Sequence, residues 1–346
     1  MQSNKRNRSF AAEWDQQDGV ILSWPHAGTD WAYMLDEVTA CYVEMARAIL
    51  DDDERLVIVA SDADDVRAAL GKDVDWNRIS IVELPTNDTW VRDYGPITVW
   101  HDGQMALADF TFNAWGMKFA ADCDNLVTSR LNERGLFKMP LINCRDIVVE
   151  GGAIETDGNG TVLTTTCCMT APNRNDALSR EQIERVLLER LGCLKVLWLD
   201  HGGLTGDDTD GHIDTLVRFA PGGIILYTGC DDPSDEHFEP LMKMEEQLKQ
   251  FTDVDGNHYH LIKLPLPEAI FDEISRLPAT YVNFLITNNQ VLVPVYGQPE
   301  NDIKACELIG QAFPGRKVVG IDCRPLICQH GSLHCATMQL PRGSLV

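Results

Sequence analysis

The chain has 346 residues, of which 29 are Lys or Arg and 53 are Asp or Glu, giving a formal net charge of −24. This length allows one large closed domain or two smaller ones, with a sizeable buried core. The acidic balance argues against nucleic acid or an anionic membrane surface as the main partner and favours a small cation, although solubility alone also explains such a charge.

The cysteine pattern and the N-terminus indicate the cellular compartment of the protein. Eleven cysteines include no C-x-x-C pair, so neither a disulfide framework nor a zinc ribbon is indicated, and we expect reduced thiols in the cytoplasm. Residues 1–8 are polar and basic without a following apolar segment, and no later apolar run reaches the ~20 residues of a membrane span. We expect no secretion and no membrane insertion, with residues 1–10 forming a flexible lead.

The first predicted elements are a strand, a helix and a second strand. Residues 19–26 read as a buried strand that stops at Pro25, residues 31–50 as a helix with one apolar face, and residues 56–60 as another short buried strand. Four hairpins follow at 97–110, 153–166, 215–228 and 283–296, and the first two turn at Asp-Gly pairs. The gaps between hairpins contain helical patterns such as 181–191 and strands such as 195–199. A helix at 301–313 and a strand at 317–321 complete the pattern.

These elements repeat along the chain. The turns are separated by 55 residues (Gly103 to Gly158), 64 residues (Gly158 to Gly222) and 67 residues (Gly222 to Asn289). About five units result if the N-terminal strand and the stretch around Cys335 form one split unit. Multi-stranded repeats of this length favour a radial α/β arrangement in which each unit contributes a strand near a central axis. Because no linker-like segment divides the chain, we expect a single domain over residues 1–346.

Polar residues stand where each hairpin begins, at points where apolar residues would be less costly. A radial arrangement would bring five of them together at the axis: Asp93, Glu150, His212, Asp214 and Cys335. Four of the five have a plain structural alternative. Asp93 could pair with Arg92 or cap a helix, Glu150 could end a strand in solvent, and His212 and Cys335 could be ordinary core residues.

Together the five groups suit attack on a guanidinium. Two carboxylates complement its paired N–H donors, and a thiolate can attack its carbon. His212, oriented by Glu150, could protonate departing ammonia and later deprotonate water. We expect His212 and Asp214 to lie on a strand and face one ligand, and His334 to point away from Cys335. His212 and Asp214 could instead hold a transition metal, but no third nitrogen or sulfur ligand stands at a telling spacing.

Five ordered motifs carry a family resemblance. They are W-V-R-D-Y-G-P (90–96), E-G-G (150–152) followed by D-G-N-G-T-V-L-T-T-T (157–166), D-T-D-G-H-I-D (208–214), G-S-L-H-C (331–335) and the N-terminal pair A-A-E-W-D (11–15) and L-S-W-P-H (22–26). The chain resembles the agmatine deiminase and bacterial peptidylarginine deiminase family over nearly its whole length. It departs from many agmatine deiminases at residues 329–332, where their glycine-rich run is replaced by Q-H-G-S.

The resemblance implies a pentein, a five-fold pseudosymmetric α/β propeller of ββαβ-type units. It also implies that Cys335 forms a covalent amidino-thioether, that His212 acts as acid and then base with support from Glu150, and that no metal or organic cofactor takes part. Asp93 and Asp214 would hold the guanidinium, and Trp90 and Asp208 would line the pocket. A homodimer is expected from the resemblance alone.

Agmatine is the expected substrate, converted to N-carbamoylputrescine and ammonia for polyamine synthesis. The nearest rival is peptidylarginine deimination, which we weigh lower because the bacterial enzymes of that kind are expected to carry a signal peptide. Two rivals from other classes remain open. One is a metal-dependent hydrolase using His212, Asp214 and Asp208, and the other is a non-catalytic binder of polyamine-like cations. Cys167 and Cys168 are expected to be core residues.

Overall fold

The structure is a computed structural model that describes residues 10–101 and 103–346. The predicted flexible lead at residues 1–10 therefore lies, apart from Phe10, outside the described residues, as does Asp102 in the first predicted turn. Phe10 forms an antiparallel bridge with Val99. No helix within 10–101 and 103–346 is long and apolar enough to cross a bilayer.

The described residues form sixteen strands in five small sheets. The strands are β1 (Gln17–Ser23), β2 (Arg55–Ala60), β3 (Ile79–Glu83), β4 (Ile97–His101), β5 (Gln104–Thr111), β6 (Leu141–Val148), β7 (Ile154–Thr156), β8 (Thr161–Thr165), β9 (Lys195–Leu199), β10 (Val217–Ala220), β11 (Ile224–Gly229), β12 (His260–Pro265), β13 (Leu285–Ile286), β14 (Gln290–Val295), β15 (Lys317–Asp322) and β16 (Thr337–Pro341).

The α-helices of the described segments are a mixture of long connecting helices and single turns. They are α1 (Leu35–Asp51), α2 (Ala63–Leu70), α3 (Val91–Tyr94), α4 (Ala114–Met117), α5 (Val127–Glu133), α6 (Thr166–Met169), α7 (Arg180–Arg190), α8 (Phe238–Leu248), α9 (Pro299–Ala312) and α10 (Arg324–Ile327).

Each sheet is built on the same plan. An antiparallel pair is followed, after a helix, by a third strand that runs parallel to the second, as in β7-β8-β9 and β10-β11-β12. The helices α1, α5, α7, α8 and α9 provide these crossovers, because two parallel strands need a long connection. In the remaining sheet the C-terminal strand β16 pairs antiparallel with β1, which is parallel to β2. The predicted five units of ββαβ type, one of them split between the chain ends, are confirmed.

The element types follow from local sequence. In α1 the buried residues recur every three or four positions, at Val38, Cys41, Met45 and Ile49, so one face packs on the core. The helix begins at Leu35 and not near Trp31 as predicted, because residues 30–33 form a separate 3₁₀ turn. The helix α7 begins with a capping box, in which the Ser179 side chain and the Gln182 side chain satisfy each other's backbone N–H groups.

The close pairing of β1 and β2 predicts that Gly19 tolerates no side chain. A Cβ at Gly19 would lie 2.1 Å from the carbonyl oxygen of Arg55, so the strands would have to separate. We expect Gly19→Ala to lower the free energy of unfolding by roughly 1–3 kcal/mol, as overpacking of a core does. Gly310→Ala in α9 is the control, because its Cβ would meet only Val318 at 3.4 Å and helix propensity favours alanine by up to ~1 kcal/mol. Urea unfolding of both variants tests this, and equal midpoints would contradict it.

Candidate active site

The five residues expected at the axis do lie together. His212 Nε2 is 2.8 Å from Glu150 Oε2, His212 Nδ1 is 3.6 Å from Asp93 Oδ1, and Cys335 Sγ is 3.6 Å from Asp214 Oδ2. A Cβ built on Gly152 would lie 2.6 Å from His212 Nδ1, 2.9 Å from Asp93 Oδ1 and 3.1 Å from Asp214 Oδ2. Three of the predicted side chains therefore surround one point, which only a glycine leaves open.

The repeated units explain this convergence. Asp93 lies in α3 just before β4, Glu150 lies between β6 and β7, His212 lies before β10, and Cys335 lies in a turn before β16. Each unit thus presents a functional group from the segment that precedes its antiparallel pair. The expectation that His212 and Asp214 lie on a strand is wrong. His212 precedes a 3₁₀ turn at Ile213–Thr215, which Thr215 closes by donating from Oγ1 to the His212 carbonyl at 2.8 Å.

Asn283 was not among the site residues predicted from the sequence. It precedes β13, which is the same position that Asp93, Glu150 and His212 occupy in their own units. Its Nδ2 and Oδ1 lie 3.3 and 3.4 Å from Cys335 Sγ. Its Oδ1 accepts hydrogen bonds from the backbone N–H groups of His334 and Cys335 at 2.9 and 3.3 Å, which fixes the turn that carries the thiol. The same rule that selected Asp93, Glu150 and His212, a polar residue at the start of a hairpin, would have found it.

Asp93 is buried and does not pair with Arg92. Gly152 N–H donates to its Oδ1 at 2.9 Å, and Trp115 Nε1–H donates to its Oδ2 at 2.9 Å. Burial raises the pKa of Asp93 to about 6, although His212 opposes this. Trp115, which no sequence signal identified, has a left-handed backbone with φ of 55°. Strain of this kind in a non-glycine residue is often found at functional sites.

Glu150 is 1% exposed and does not end a strand in solvent. Arg174 Nε lies 3.1 Å from both carboxylate oxygens, and Arg174 is itself held by Asp210 at 2.6 Å. Burial alone would raise the pKa of Glu150, but the hydrogen bond from His212 and the charge of Arg174 outweigh it and lower that pKa. Glu150 is therefore an ionised partner for His212. Arg174 was missed because it stands in a loop with no telling pattern.

His212 is poised to donate protons. Burial opposes its positive charge, but Asp93, Cys168 and Glu150 raise the pKa of His212 well above the ordinary value. Cys168 is buried, as expected of a core residue, and its Sγ also lies 3.8 Å from Glu150 Oε2. The expectation that Cys167 is a core residue is wrong, because its side chain is exposed.

The thiol of Cys335 is protonated in the free protein at neutral pH. Burial raises its pKa well above the usual thiol value, and the carboxylates of Asp214 and Asp93 raise it further. The pKa of Asp214 itself is lowered despite burial, chiefly by the hydrogen bond from His334. His334 Nδ1 lies 2.8 Å from Asp214 Oδ2, while Asp214 Oδ1 is buried without a hydrogen-bond partner. A cation beside these carboxylates would favour the thiolate.

A cleft with about 740 Å³ of empty space, part of it open to solvent, leads to this cluster. Its lining includes Asp93, His212 and Cys335 as well as the predicted pocket residues Trp90 and Asp208, whereas Glu150 and Asp214 lie behind it. A Cβ on Gly331 would lie 2.3 Å from the Trp90 ring, so this glycine allows the indole to lie against the loop at 329–332.

The cleft also has an acidic part, of which only Asp208 was predicted from the sequence. Asp30 and Asp88 line it together with Asp208. Burial raises the pKa of Asp88 to about 7 and also raises that of Asp208. A cation bound there would stabilise the ionised carboxylates.

One group within the described segments has metal-ligand geometry. A ligand atom from each of Glu150, Cys168 and His212 lies within 4.8 Å of the others. Neither Asp208 nor Asp214 belongs to this group, so it differs from the set considered for a metal-dependent hydrolase. Arg174 lies 3.0 Å from Glu150 through its Nη2, and a bound metal cation would be repelled by this charge. The donor set therefore fits a metal poorly.

Comparison with known proteins identifies the family. The model of the Porphyromonas-type peptidyl-arginine deiminase family matches residues 9–341. A Legionella pneumophila protein assigned as an agmatine deiminase is 34% identical over 339 residues, which cover 96% of this chain and 95% of that protein. A Porphyromonas gingivalis protein assigned as an arginine deiminase superimposes with a TM-score of 0.93 and 52% identity over 98% of this chain and 100% of its own.

A C. jejuni agmatine deiminase, solved as a cysteine-to-serine variant with substrate bound, has a TM-score of 0.90 and 37% identity over 97% of each chain. The chain thus belongs to the Porphyromonas-type peptidyl-arginine deiminase family, which confirms the resemblance and the hydrolase class that it implied. A dimethylarginine dimethylaminohydrolase, at 14% identity and a TM-score of 0.53 over 94% of this chain and 100% of its own, shares the fold alone. The pentein fold expected from the motifs is confirmed.

The electrostatic effect of Asp93 on the thiol can be tested without a substrate. Asp93→Asn removes a negative charge near Cys335 and should lower the pKa of its thiol. One pKa unit would increase the thiolate fraction, and with it the alkylation rate at pH 8, by about tenfold. Iodoacetamide labelling followed by mass spectrometry of the Cys335 peptide measures this rate. The exposed Cys167 is the internal control, and an unchanged ratio of the two rates would contradict the prediction.

Proposed function

We propose that the protein hydrolyses a guanidino group to a ureido group and ammonia, with Cys335 as the nucleophile and agmatine as the preferred substrate. The observation that carries this proposal is the state of Asp214. Its Oδ1 is buried with no partner, while its Oδ2 lies 3.6 Å from the thiol. A buried unpaired acceptor is costly, and an N–H of a guanidinium placed against the thiol would satisfy it.

In the first half of the reaction the thiol replaces ammonia. The guanidinium lies between Asp93 and Asp214, and its charge lowers the pKa of Cys335, whose proton leaves to solvent. Sγ attacks the guanidinium carbon, and His212 donates a proton to the departing nitrogen as the carbon–nitrogen bond breaks. Ammonia leaves, and an amidino group remains bonded to Sγ.

In the second half, water replaces the thiol. His212, now neutral and still bonded to Glu150, accepts a proton from the attacking water. As the carbon–sulfur bond breaks and the C=O bond forms, the remaining hydroxyl proton passes to Sγ, so the ureido product leaves and the thiol of the free protein is restored. The sum is guanidino compound plus water to ureido compound plus ammonia. No step requires a metal or an organic cofactor.

Agmatine suits the charge of the cleft. It carries an ammonium at the end opposite its guanidinium, and Asp30, Asp88 and Asp208 line the same cleft as Cys335. Relatives named as agmatine deiminases at 30% identity or more, including one from Enterococcus faecalis described as catalysing its reaction, support this choice. Peptidylarginine, which the family name carries, is the second candidate. We further propose a single catalytic domain, a cytoplasmic location, a homodimer, and a product, N-carbamoylputrescine, that feeds polyamine synthesis.

Ammonia release from agmatine, free arginine and a blocked arginyl peptide tests the reaction. We expect turnover of agmatine that survives a chelator and falls by at least about 10⁴-fold in Cys335→Ser, because loss of a covalent nucleophile removes the pathway. Activity that is lost with chelator and kept in Cys335→Ser would favour the metal-dependent hydrolase. Binding of agmatine without ammonia from any substrate would favour a non-catalytic binder. Turnover of the peptide alone would favour peptidylarginine deimination.

The pH dependence of KM tests the acidic part of the cleft. The pKa of Asp88 is raised to about 7, so this group becomes neutral as the pH falls through 7 and attracts an ammonium less. We expect KM for agmatine to rise below pH 7 more steeply than KM for butylguanidine, which has the same guanidinium and no distal amine. Asp88→Asn should remove the difference between the two profiles. Parallel profiles in the wild type would contradict this assignment.

A further inference from the structure

His334 connects the active site to the N-terminal segment behind the thiol. Its Nδ1 lies 2.8 Å from Asp214 Oδ2, and its Nε2 lies 2.9 and 3.0 Å from the two carboxylate oxygens of Glu13. The ring is fully buried. The deimination steps above give this ring no proton to move, so its two contacts need another explanation.

Glu13 is a fixed anion at the far side of the ring. Arg92 Nη1 donates to its Oε1 at 3.0 Å, Gln339 Nε2 donates to its Oε2 at 2.9 Å, and Arg218 Nη2 forms an ion pair with its Oε2. Burial alone would raise the pKa of Glu13, but Arg218, His334 and Arg92 outweigh it and hold that pKa well below the usual value. The ring therefore rests against an anchor held by three other side chains.

The contact between His334 Nδ1 and Asp214 gives the two carboxylate oxygens of Asp214 different surroundings. Oδ2 is held by the ring, whereas Oδ1 has no partner. A carboxylate whose one oxygen is fixed presents the other in a defined direction, and charge-assisted hydrogen bonds are strong enough to hold such an orientation. Functional groups are commonly oriented in this way by a buried partner that does not touch the ligand.

We propose that His334 is a positioning residue for deimination: its Nδ1–H holds Asp214 Oδ2 so that Oδ1 stays free for the substrate guanidinium, and Glu13 keeps the ring in place. This inference rests on the proposed function, in which Asp214 binds the guanidinium. It gives the N-terminal segment around Glu13 a part in catalysis, at a distance from the reacting atoms.

The proton on Nδ1 of the ring is the one that matters. Burial, Arg218 and Arg92 together hold the pKa of His334 below its ordinary value, although Glu13 and the bond to Asp214 oppose this. The doubly protonated ring donates from Nδ1 to Asp214 and from Nε2 to Glu13, whereas a neutral ring protonated at Nδ1 keeps the bond to Asp214 and directs its Nε2 lone pair at Glu13. A ring protonated at Nε2 alone would direct a lone pair at Asp214.

Two substitutions separate positioning from a merely structural role. In His334→Asn the amide nitrogen can take the place of Nδ1 and still donate to Asp214. In His334→Gln the longer side chain can take the place of Nε2, which keeps the contact with Glu13 and loses the one with Asp214. Both variants remove the ring and its packing, so both should lose stability. They differ in whether the hydrogen bond to Asp214 is kept.

The experiment measures kcat and KM for agmatine in both variants, with the free energy of unfolding of each. We expect kcat/KM to fall by about 10- to 100-fold in His334→Gln and to stay within about fivefold in His334→Asn, as for one hydrogen bond to a charged group. His237→Gln is the matched control. That ring is buried, its Nδ1 lies 2.9 Å from Asp235, and its Nε2 accepts from the Thr205 N–H at 2.8 Å, all outside the cleft.

Equal losses in the two His334 variants, following their loss of stability, would overturn the inference. A lack of ammonia release by the wild-type enzyme would overturn the proposed function and this inference with it, and so is distinguishable from a failure of the inference alone. If neither His334 variant unfolds cooperatively, Glu13→Gln and Glu13→Ala take their place with the native ring. The Gln amide can accept from an Nε2–H or donate to an Nε2 lone pair, so a loss in Ala at least about tenfold greater supports the inference, and equal losses overturn it.

Discussion

Three carboxyl groups, Asp93, Glu150 and Asp214, are buried in one cluster around His212 and the thiol of Cys335. Removing an ionised carboxylate from water costs several kcal/mol unless a partner compensates the charge. This cost is comparable to the whole free energy of unfolding of a domain. The fold meets this constraint differently for each group. Glu150 is paired with Arg174, and Asp214 is held by His334. Asp93 receives two N–H donors and still has a pKa raised to about 6.

The compensation is incomplete for Asp214 and for the thiol beside it. Asp214 Oδ1 has no partner, and burial together with the carboxylates of Asp214 and Asp93 keeps the pKa of the Cys335 thiol high. The free protein is therefore complementary to a cation, and in the proposed mechanism the bound cation activates the nucleophile Cys335. A site of this kind discriminates by charge before any reaction occurs, and it would keep the thiol unreactive when no substrate is bound.

The sequence predicted the fold well because the repeated hairpins and crossover helices are local patterns, and strands such as β9 end where their apolar runs end. It predicted the residues at hairpin starts because the repeat brings equivalent positions together. Trp115 and Arg174 could not be found in this way, since Trp115 lies in the left-handed turn α4 and Arg174 in a loop, and both reach the site through contacts distant in sequence. The strand predicted at His212 is instead a 3₁₀ turn. A segment of three residues is too short for its sequence to distinguish a turn from the end of a strand. Cys167 was misjudged because its apolar neighbours suggest burial, whereas α6 turns it outward.

A crystal structure of the Cys335→Ser variant with agmatine bound would be the most direct test, because it locates the cation in the incompletely compensated site. We predict that the guanidinium lies between Asp93 and Asp214, that one of its N–H groups donates to Asp214 Oδ1, and that its carbon faces the hydroxyl introduced at position 335. A guanidinium at Asp88 and Asp208 with the ammonium toward position 335, or no agmatine in the cleft, would contradict the proposed mode of binding.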